Sequence, residues 1–519
     1  MISLPWLTIL IALPALGALV IGVFPQMGAS ARPFALGVSV AELVIAIVAA
    51  TQFDFSQAAT QQLTESVPWI KALGVSWALG VNGLALVMIL LAVALVPLVL
   101  LAHRPATAVS DDAASSSHGR GYSAWVLALT AFMVAIFAAR DLFLFYVVFE
   151  AMLIPVYFLV GRYGSAKRRQ AAIKFLLYSL AGGLVMLVGV ITLYVYAPHS
   201  ESTFHLDNLA GSVPPQVQMF VFITFFIAFA IKAPMVPVHT WLPDTAEAAP
   251  AGTSVLLVGI LDKVGTFGMM MICLPLFPQA SAQAAPVIIV LAVVSIIWGG
   301  LMAVAERDLL RLVSYTSVSH FGFIVMGIFI GSSVAMTGSM VYMVAHGITT
   351  AGMFFLVEFL SRRGGSVQIP HYRGMQRTTP VLAGLFLFTG LASIALPGLS
   401  GFVPEYMVLM GSFGANVWAA SFAVLGVIIA ALYVLLPYQR VFTGPENTEA
   451  LTSTADLDGQ EKTVLAPLAV AMVVFGVLPS LLINVVQPVA DTITITTDAT
   501  ISAPAEVAPQ AIATDRSEK

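Results

Sequence analysis

Residues 231–250 read IKAPMVPVHTWLPDTAEAAP and follow MFVFITFFIAFA, residues 219–230, a run without a charge. A lysine, a histidine and four prolines therefore stand where a membrane helix should be finishing or half done. Pro234 and Pro237 each lack an N–H, and each ring clashes with the carbonyl four residues earlier. The stretch predicts a helix that breaks beside Lys232, with freed backbone groups near Ala230 and Ala233. In a bilayer such groups persist only where protein or water satisfies them, so the break predicts a hydrated polar spot.

The rest of the chain sets this break in context. Of 519 residues, 59% are hydrophobic and 9% charged, too few charges to cover a soluble protein of this size. Apolar runs of about 18 residues or more recur throughout, the mark of an all-α integral membrane protein. Windows at 4–24, 33–50, 82–102, 123–138, 142–161, 171–197, 218–249, 252–275, 285–304, 309–331, 334–358, 378–411, 418–438 and 464–487 predict fourteen spans. The first lacks a basic leader and reads as a span, a signal-anchor role being equally compatible. The thin net charge of −4 argues against a nucleic-acid partner. The single cysteine, Cys273, can build neither a disulfide framework nor an iron–sulfur site. There is no P-loop, no dinucleotide fingerprint and no HExxH, so any redox cofactor belongs to other chains.

Lysine and arginine in the loops give the orientation. With the N-terminus outside, fifteen of the 22 fall in inside loops, from Arg32 to Lys462, and four outside: Lys71, Arg140, Arg516 and Lys519. That bias predicts both termini outside. The stretches 103–122 and 439–463 read as polar loops, and the tail beyond about residue 488 as poorly ordered near its end.

The twelfth window, too, is long and interrupted by proline: ALPGLSGFVPEY carries Pro397 and Pro404 beside Glu405. Spans four to eight and nine to thirteen are thus two groups of five, each with a broken fourth member. Five being odd, the second group enters from the opposite side, which predicts two inverted five-helix repeats. The expected organisation is 1–122, a three-helix segment; 123–275 and 285–438, the repeats; and 439–519, a loop, the last span and a polar tail. The likeness between the halves is one of topology and is weak residue by residue.

Ionisable groups recur at depth. Lys263, His320 and His346 lie near the middle of their spans, Glu150 about nine residues into its own, and Lys232 and Glu405 at the breaks. A charge at bilayer centre costs roughly 2.5–3.5 kcal/mol on insertion scales. A lone buried histidine is more often a packing residue. Lys174 can snorkel to the interface, Asp141 reads as an interfacial pair with Arg140, and Glu42 and Glu358 as interfacial. Burial and pairing move lysine and glutamate proton affinities in opposite senses by up to about 3–5 pH units. At about 1.36 kcal/mol per unit that is roughly 4–7 kcal/mol, so making or breaking Glu150–Lys232 exceeds the roughly 2.3 kcal/mol needed to move a proton against 100 mV. Histidine suits the positions between.

KAPMVPVHTWLPDTAEAAPAGTSVLLVGILDKVG, AERDLLRLVSYTSVSHFG and LPGLSGFVPEY together resemble the signatures of the antiporter-like membrane subunits of respiratory complex I, proton-translocating NADH:quinone oxidoreductase. The resemblance covers roughly residues 80–440. It implies a fourteen-helix fold and a proton-translocating subunit of a hetero-oligomer in a bacterial inner membrane, beside L- and N-type neighbours and lipid. FMN, iron–sulfur clusters and quinone would lie on other subunits. Glutamate at the twelfth-span break, where L and N chains and cation/proton antiporter subunits carry lysine, points to the M-type branch. So does the absence of a long lateral helix after Gln487. The resemblance assigns Glu150 and Lys232 as a coupled pair, Lys263 as the central lysine and Glu405 as the exit group. His239, His320 and His346 are the relay, with Lys174 a weaker member. Ala305 and Leu310 depart from the pattern, where a polar residue and a lysine are common; both lie off the central line. The rival readings are a subunit of a multi-subunit cation/proton antiporter or membrane-bound hydrogenase, and a scaffold that kept the fold without pumping. A pocket for an organic solute fits poorly, because the polar line holds proton-exchanging groups.

Overall fold

In lipid a backbone amide finds no water, so each apolar run satisfies its own hydrogen bonds by coiling. The computed structural model describes residues 4–104, 112–200, 202–445 and 455–494. Among these, thirteen helices are long and apolar enough to cross a membrane. The first six are Trp6–Val23, Ala31–Ala50, Gly83–Ala102, Gly119–Ala138, Leu142–Tyr163 and Arg168–Tyr196. The seventh, Pro215–Lys232, stops where the prolines predict and resumes as Trp241–Ala248. Then come Ala251–Leu276, Pro278–Ala305, Leu309–Phe329 and Ser333–Gly364. The twelfth expected span is two half-helices, Pro380–Ser393 and Phe402–Ala415. Val417–Phe442 and Gly459–Val477 follow as thirteenth and fourteenth. The expected single helix over 464–487 is instead cut at Leu478–Pro479, and a separate helix, Ser480–Ile493, folds back against the eleventh and third spans. The far end of the tail lies outside the described residues.

The chain is not purely helical. Residues 62–81 form an antiparallel hairpin, Gln62–Ile70 with Val75–Val81, turned at Gly74 with φ of 68°. Its place is fixed by two carboxylates at helix starts, where amide N–H groups have no partner within the helix. Glu65 accepts from the amides of Leu7 (2.7 Å) and Thr8 (3.1 Å) at the head of the first span. Asp141 accepts from Ser76 of the hairpin (2.9 Å) and, through its other oxygen, from the amides of Phe143 and Leu144. Asp141 is thus a helix cap, not the partner of Arg140, which pairs with Asp207 at 2.6 Å. At the opposite end of the bundle Asp458 and Glu461 form a capping box at the start of the fourteenth span. The amide of Glu461 holds the Asp458 carboxyl below the usual carboxylate range.

Packing separates lipid-facing helices from enclosed ones. Val188, Val290, Ile428 and Val470 stand exposed on outer helices, as expected where lipid is the solvent. The tenth and eleventh spans are enclosed throughout and the eighth nearly so. These three carry His320, His346 and Lys263. Glu42, expected at an interface, is fully buried in the second span with neither oxygen partnered among the described residues. Glu358 sits half-buried against Arg362.

Candidate functional site

The seventh helix ends on Lys232, and Pro234 and Pro237 both lie in the connection to Trp241. Several of the freed backbone groups meet protein. Ala230 O accepts from the amide of Met235 (3.0 Å), Ile231 O from the indole of Trp241 (2.9 Å), and the amide of Val236 donates to Ser295 Oγ (3.0 Å). Trp241 and Ser295 therefore hold the break in shape, and neither was singled out from sequence. Trp241→Phe is expected to strand a buried carbonyl at a cost of about 1–3 kcal/mol, read as a lower thermal transition of the complex in detergent.

Lys232 occupies the C-terminal end of its half-helix, the end whose dipole favours a cation. Its Nζ is buried 5.5 Å over the ring of Phe149 and 5.4 Å over that of Phe175, and no described residue hydrogen-bonds to it. Glu150 acts on it electrostatically without touching it. The Glu150 carboxylate instead lies against Gly183 of the sixth span. A Cβ there would fall 1.4 Å from Glu150 Oε1, so only glycine leaves the carboxylate its seat.

The eighth span approaches the break so closely that a Cβ on Gly265 would stand 2.5 Å from Phe229 O. Its helix widens twice, into π-turns at Leu257–Leu261 and Met269–Cys273, on either side of Lys263. Such turns open carbonyls to side chains and recur at functional sites. Here Lys263 Nζ donates to Val258 O within the first turn (2.9 Å) and meets His346 Nδ1 at 2.9 Å. With Nδ1 accepting, a neutral His346 carries its proton on Nε2. Next to Lys263 stands Asp262, fully buried, with neither oxygen hydrogen-bonded among the described residues. It acts on both Lys232 and Lys263. Sequence reading passed over it, although an aspartate in an apolar window was the signal.

From Lys263 the line continues. The rings of His346 and His320 are 5.2 Å apart, edge to face. Tyr433 OH lies 3.0 Å from His320 Nε2, and the Tyr342 ring is 5.7 Å from that of His320. Tyr342 OH donates to Glu405 Oε2 at 2.7 Å. The two tyrosines join the histidines to Glu405, and both read as ordinary core aromatics in sequence. Glu405 is buried in the first turn of Phe402–Ala415, where a helix N-terminus favours an anion. Lysine at one half-helix end and glutamate at the other half-helix start follow the same dipole rule. The twelfth-span break itself is made by Ile394–Gly401, with Ala395 at φ 59° and Gly398 at φ 90° around Pro397. Pro404 is no part of it. It sits in the first turn of the second half-helix, where a missing N–H costs nothing.

Two expected members make other contacts. His239 packs edge-on against Tyr315, ring centres 6.2 Å apart, its Nδ1 buried without a hydrogen-bond partner among the described residues. Lys174 pairs with Asp244 at 2.6 Å, and Asp244 bridges to Arg311 at 2.6 Å. Arg311 also meets Glu247 and Glu306, and Glu247 meets Lys167. This network ties the sixth, seventh, ninth and tenth spans together at one end of the bundle. Among the described residues no group of three or more His, Cys, Asp or Glu side chains is arranged to hold a metal ion.

Comparison with known proteins places the chain. A family described as "NADH:quinone oxidoreductase/Mrp antiporter, TM" matches residues 139–430. "NADH-quinone oxidoreductase subunit M" of Mycobacterium tuberculosis is 40% identical over 94% of both chains. The chain belongs to the subunit M family. The subunit M of Rhodobacter capsulatus is 34% identical, over 93% of this chain and 95% of that one. A chain of respiratory complex I from Thermus thermophilus has a TM-score of 0.81 at 30% identity, covering 93% of this chain and 99% of that one. A chain of the Mrp complex of Dietzia shares the fold, with a TM-score of 0.81 at 21% identity over 94% and 97% of the two chains. As a member of the subunit M family, this chain is a multi-pass membrane subunit of a larger enzyme complex.

Proposed function

We propose that this chain is the M-type proton-translocating subunit of a bacterial NADH:quinone oxidoreductase, driven by quinone reduction on other subunits. Protons move between Glu150, Lys232, Asp262 and Lys263 in one half of the molecule. His346, His320, Tyr433 and Tyr342 carry them to Glu405 in the other. The observation that supports this reading best is the run of short contacts from Lys263 to His346, His320 and Tyr433, facing the Tyr342–Glu405 bond. Each of these side chains can take and give a proton, and each is buried in the protein interior. His239 serves the seventh-span break, and Lys174 with Asp244 and Arg311 fixes the end of that span.

Spans four to eight and nine to thirteen are inverted repeats, each broken in its fourth member. The chain lies in the inner membrane with both termini outside, between L- and N-type neighbours, and its redox partners are held on other chains. The second reading is a subunit of a cation/proton antiporter, favoured only by the shared fold. Glu405, where that class carries lysine, weighs against it.

Mild solubilisation followed by mass spectrometry of the co-purifying chains tests the choice. L- and N-type subunits are expected together with an NADH-oxidising arm. A set of membrane subunits without any redox chain would contradict the proposal.

A further inference from the structure

An apolar cavity of about 530 Å³ lies outside the ionisable line, between the second, third, eleventh and fourteenth spans and the final helix Ser480–Ile493. Along the third span it follows one helical row, Leu90, Ala94 and Leu98, three of the half-exposed positions on a mostly buried helix. Ile348, Ala471 and Leu482 close it from the other helices. From Leu86 to Leu98 it runs roughly 18 Å along the membrane normal. Its apolar lining and its length match a single hydrocarbon chain.

Just beyond one end of this groove, cations gather around the last turn of the third span. Arg32 donates to Leu100 O (2.9 Å) and Leu101 O (2.8 Å), and Arg362 to Ala102 O (2.7 Å). Arg104 pairs with Asp458 at 2.5 Å, and Arg362 with Glu358. Arg32 bonds only to carbonyls among the described residues, which leaves the cluster one positive charge in excess. A greasy slot inside the bilayer gains nothing by itself from displacing one hydrocarbon for another. Selectivity has to come from the headgroup, and here that end is cationic.

We propose that this groove holds one acyl chain of an anionic phospholipid whose phosphate rests on Arg32 and Arg104. Charge sets the preference: one excess positive charge at the membrane surface favours an anionic over a neutral headgroup by about fivefold.

The test uses the intact complex in mild detergent and a phosphatidylglycerol carrying a photoactivatable diazirine in its acyl chain. Labelling is expected to concentrate on peptides containing Leu90–Leu98 and Ala471. Unlabelled phosphatidylglycerol should compete about fivefold better than phosphatidylcholine. Ala94→Trp, which fills a half-exposed position, should cut labelling there at least fivefold. Arg32→Gln with Arg104→Gln, which leaves the groove itself intact, should abolish the headgroup preference. Labelling spread evenly over open faces such as those of Val188 and Val290 would overturn the proposal. So would equal competition by the two lipids, or stronger competition by a long-chain quinone.

Discussion

Lys263→Met is expected to lower NADH-driven proton transport at least tenfold in assembled complex. Among the described residues its amine is the group that meets the histidines from the eighth span, with bonds of 2.9 Å to Val258 O and to His346 Nδ1. Methionine fills similar space without a charge. It also leaves the buried Asp262 beside it without a neighbouring cation, so transport is normalised to the amount of assembled complex. Lys263→Arg separates two roles for this residue. A guanidinium keeps the positive charge but cannot give up its proton in a protein. If Lys263 only balances charge, arginine restores transport; if it carries the proton, arginine fails as methionine does. The second outcome is expected, measured as acidification of inverted vesicles on NADH addition, with subunit content checked by mass spectrometry.

Asp262→Asn should be nearly as damaging, for a different reason. Asp262 is buried beside Lys263 and acts on Lys232 as well, so it is the carboxylate common to the two amines. Asparagine preserves the shape and removes the charge. The two buried lysines then lose the carboxylate that acts on both, and the first half of the line has one carrier fewer. Transport is expected to fall at least fivefold and the complex to dissociate at lower temperature, with partial recovery in Asp262→Glu. Normal transport together with normal thermal stability in Asp262→Asn would mean that Lys232 and Lys263 do not communicate through this carboxylate.

The sequence made some of this plain and hid the rest for identifiable reasons. Lys232, Lys263 and Glu405 stand out because an ionisable residue in an apolar window has few bland explanations, and the structure places all three in the protein interior. The seventh-span break was legible to within a residue or two, since proline's lost N–H is a local property. What satisfies that break was not legible. Trp241 and Ser295 act through contacts with residues 10 and 59 positions away, and neither spacing leaves a periodic trace. Tyr342 and Tyr433 were hidden in the same way, because a hydroxyl on an aromatic ring in a buried helix reads as core until its partner is seen. Pro404 was misread as a breaker because proline's effect depends on its distance from the helix start, which a window average blurs. The hairpin at residues 62–81 escaped because it is short, half-exposed and set among longer apolar runs.

The electrostatic design of the two breaks gives the chemistry a common basis. Each exposes a helix end inside the protein, and each places there the charge that the end prefers, a lysine at a C-terminus and a glutamate at an N-terminus. A shift in either half-helix would change the field at its ionisable group without moving a net charge far. That is the sort of small displacement a neighbouring subunit can impose.

The most direct measurement is the proton-to-electron ratio of the assembled complex with Glu405→Gln, taken in inverted vesicles during NADH oxidation. Glutamine keeps a partner for Tyr342 OH and removes the proton-exchanging group at the end of the line. The ratio is expected to drop, or oxidation and pumping to slow together. A wild-type ratio at a wild-type rate would contradict it.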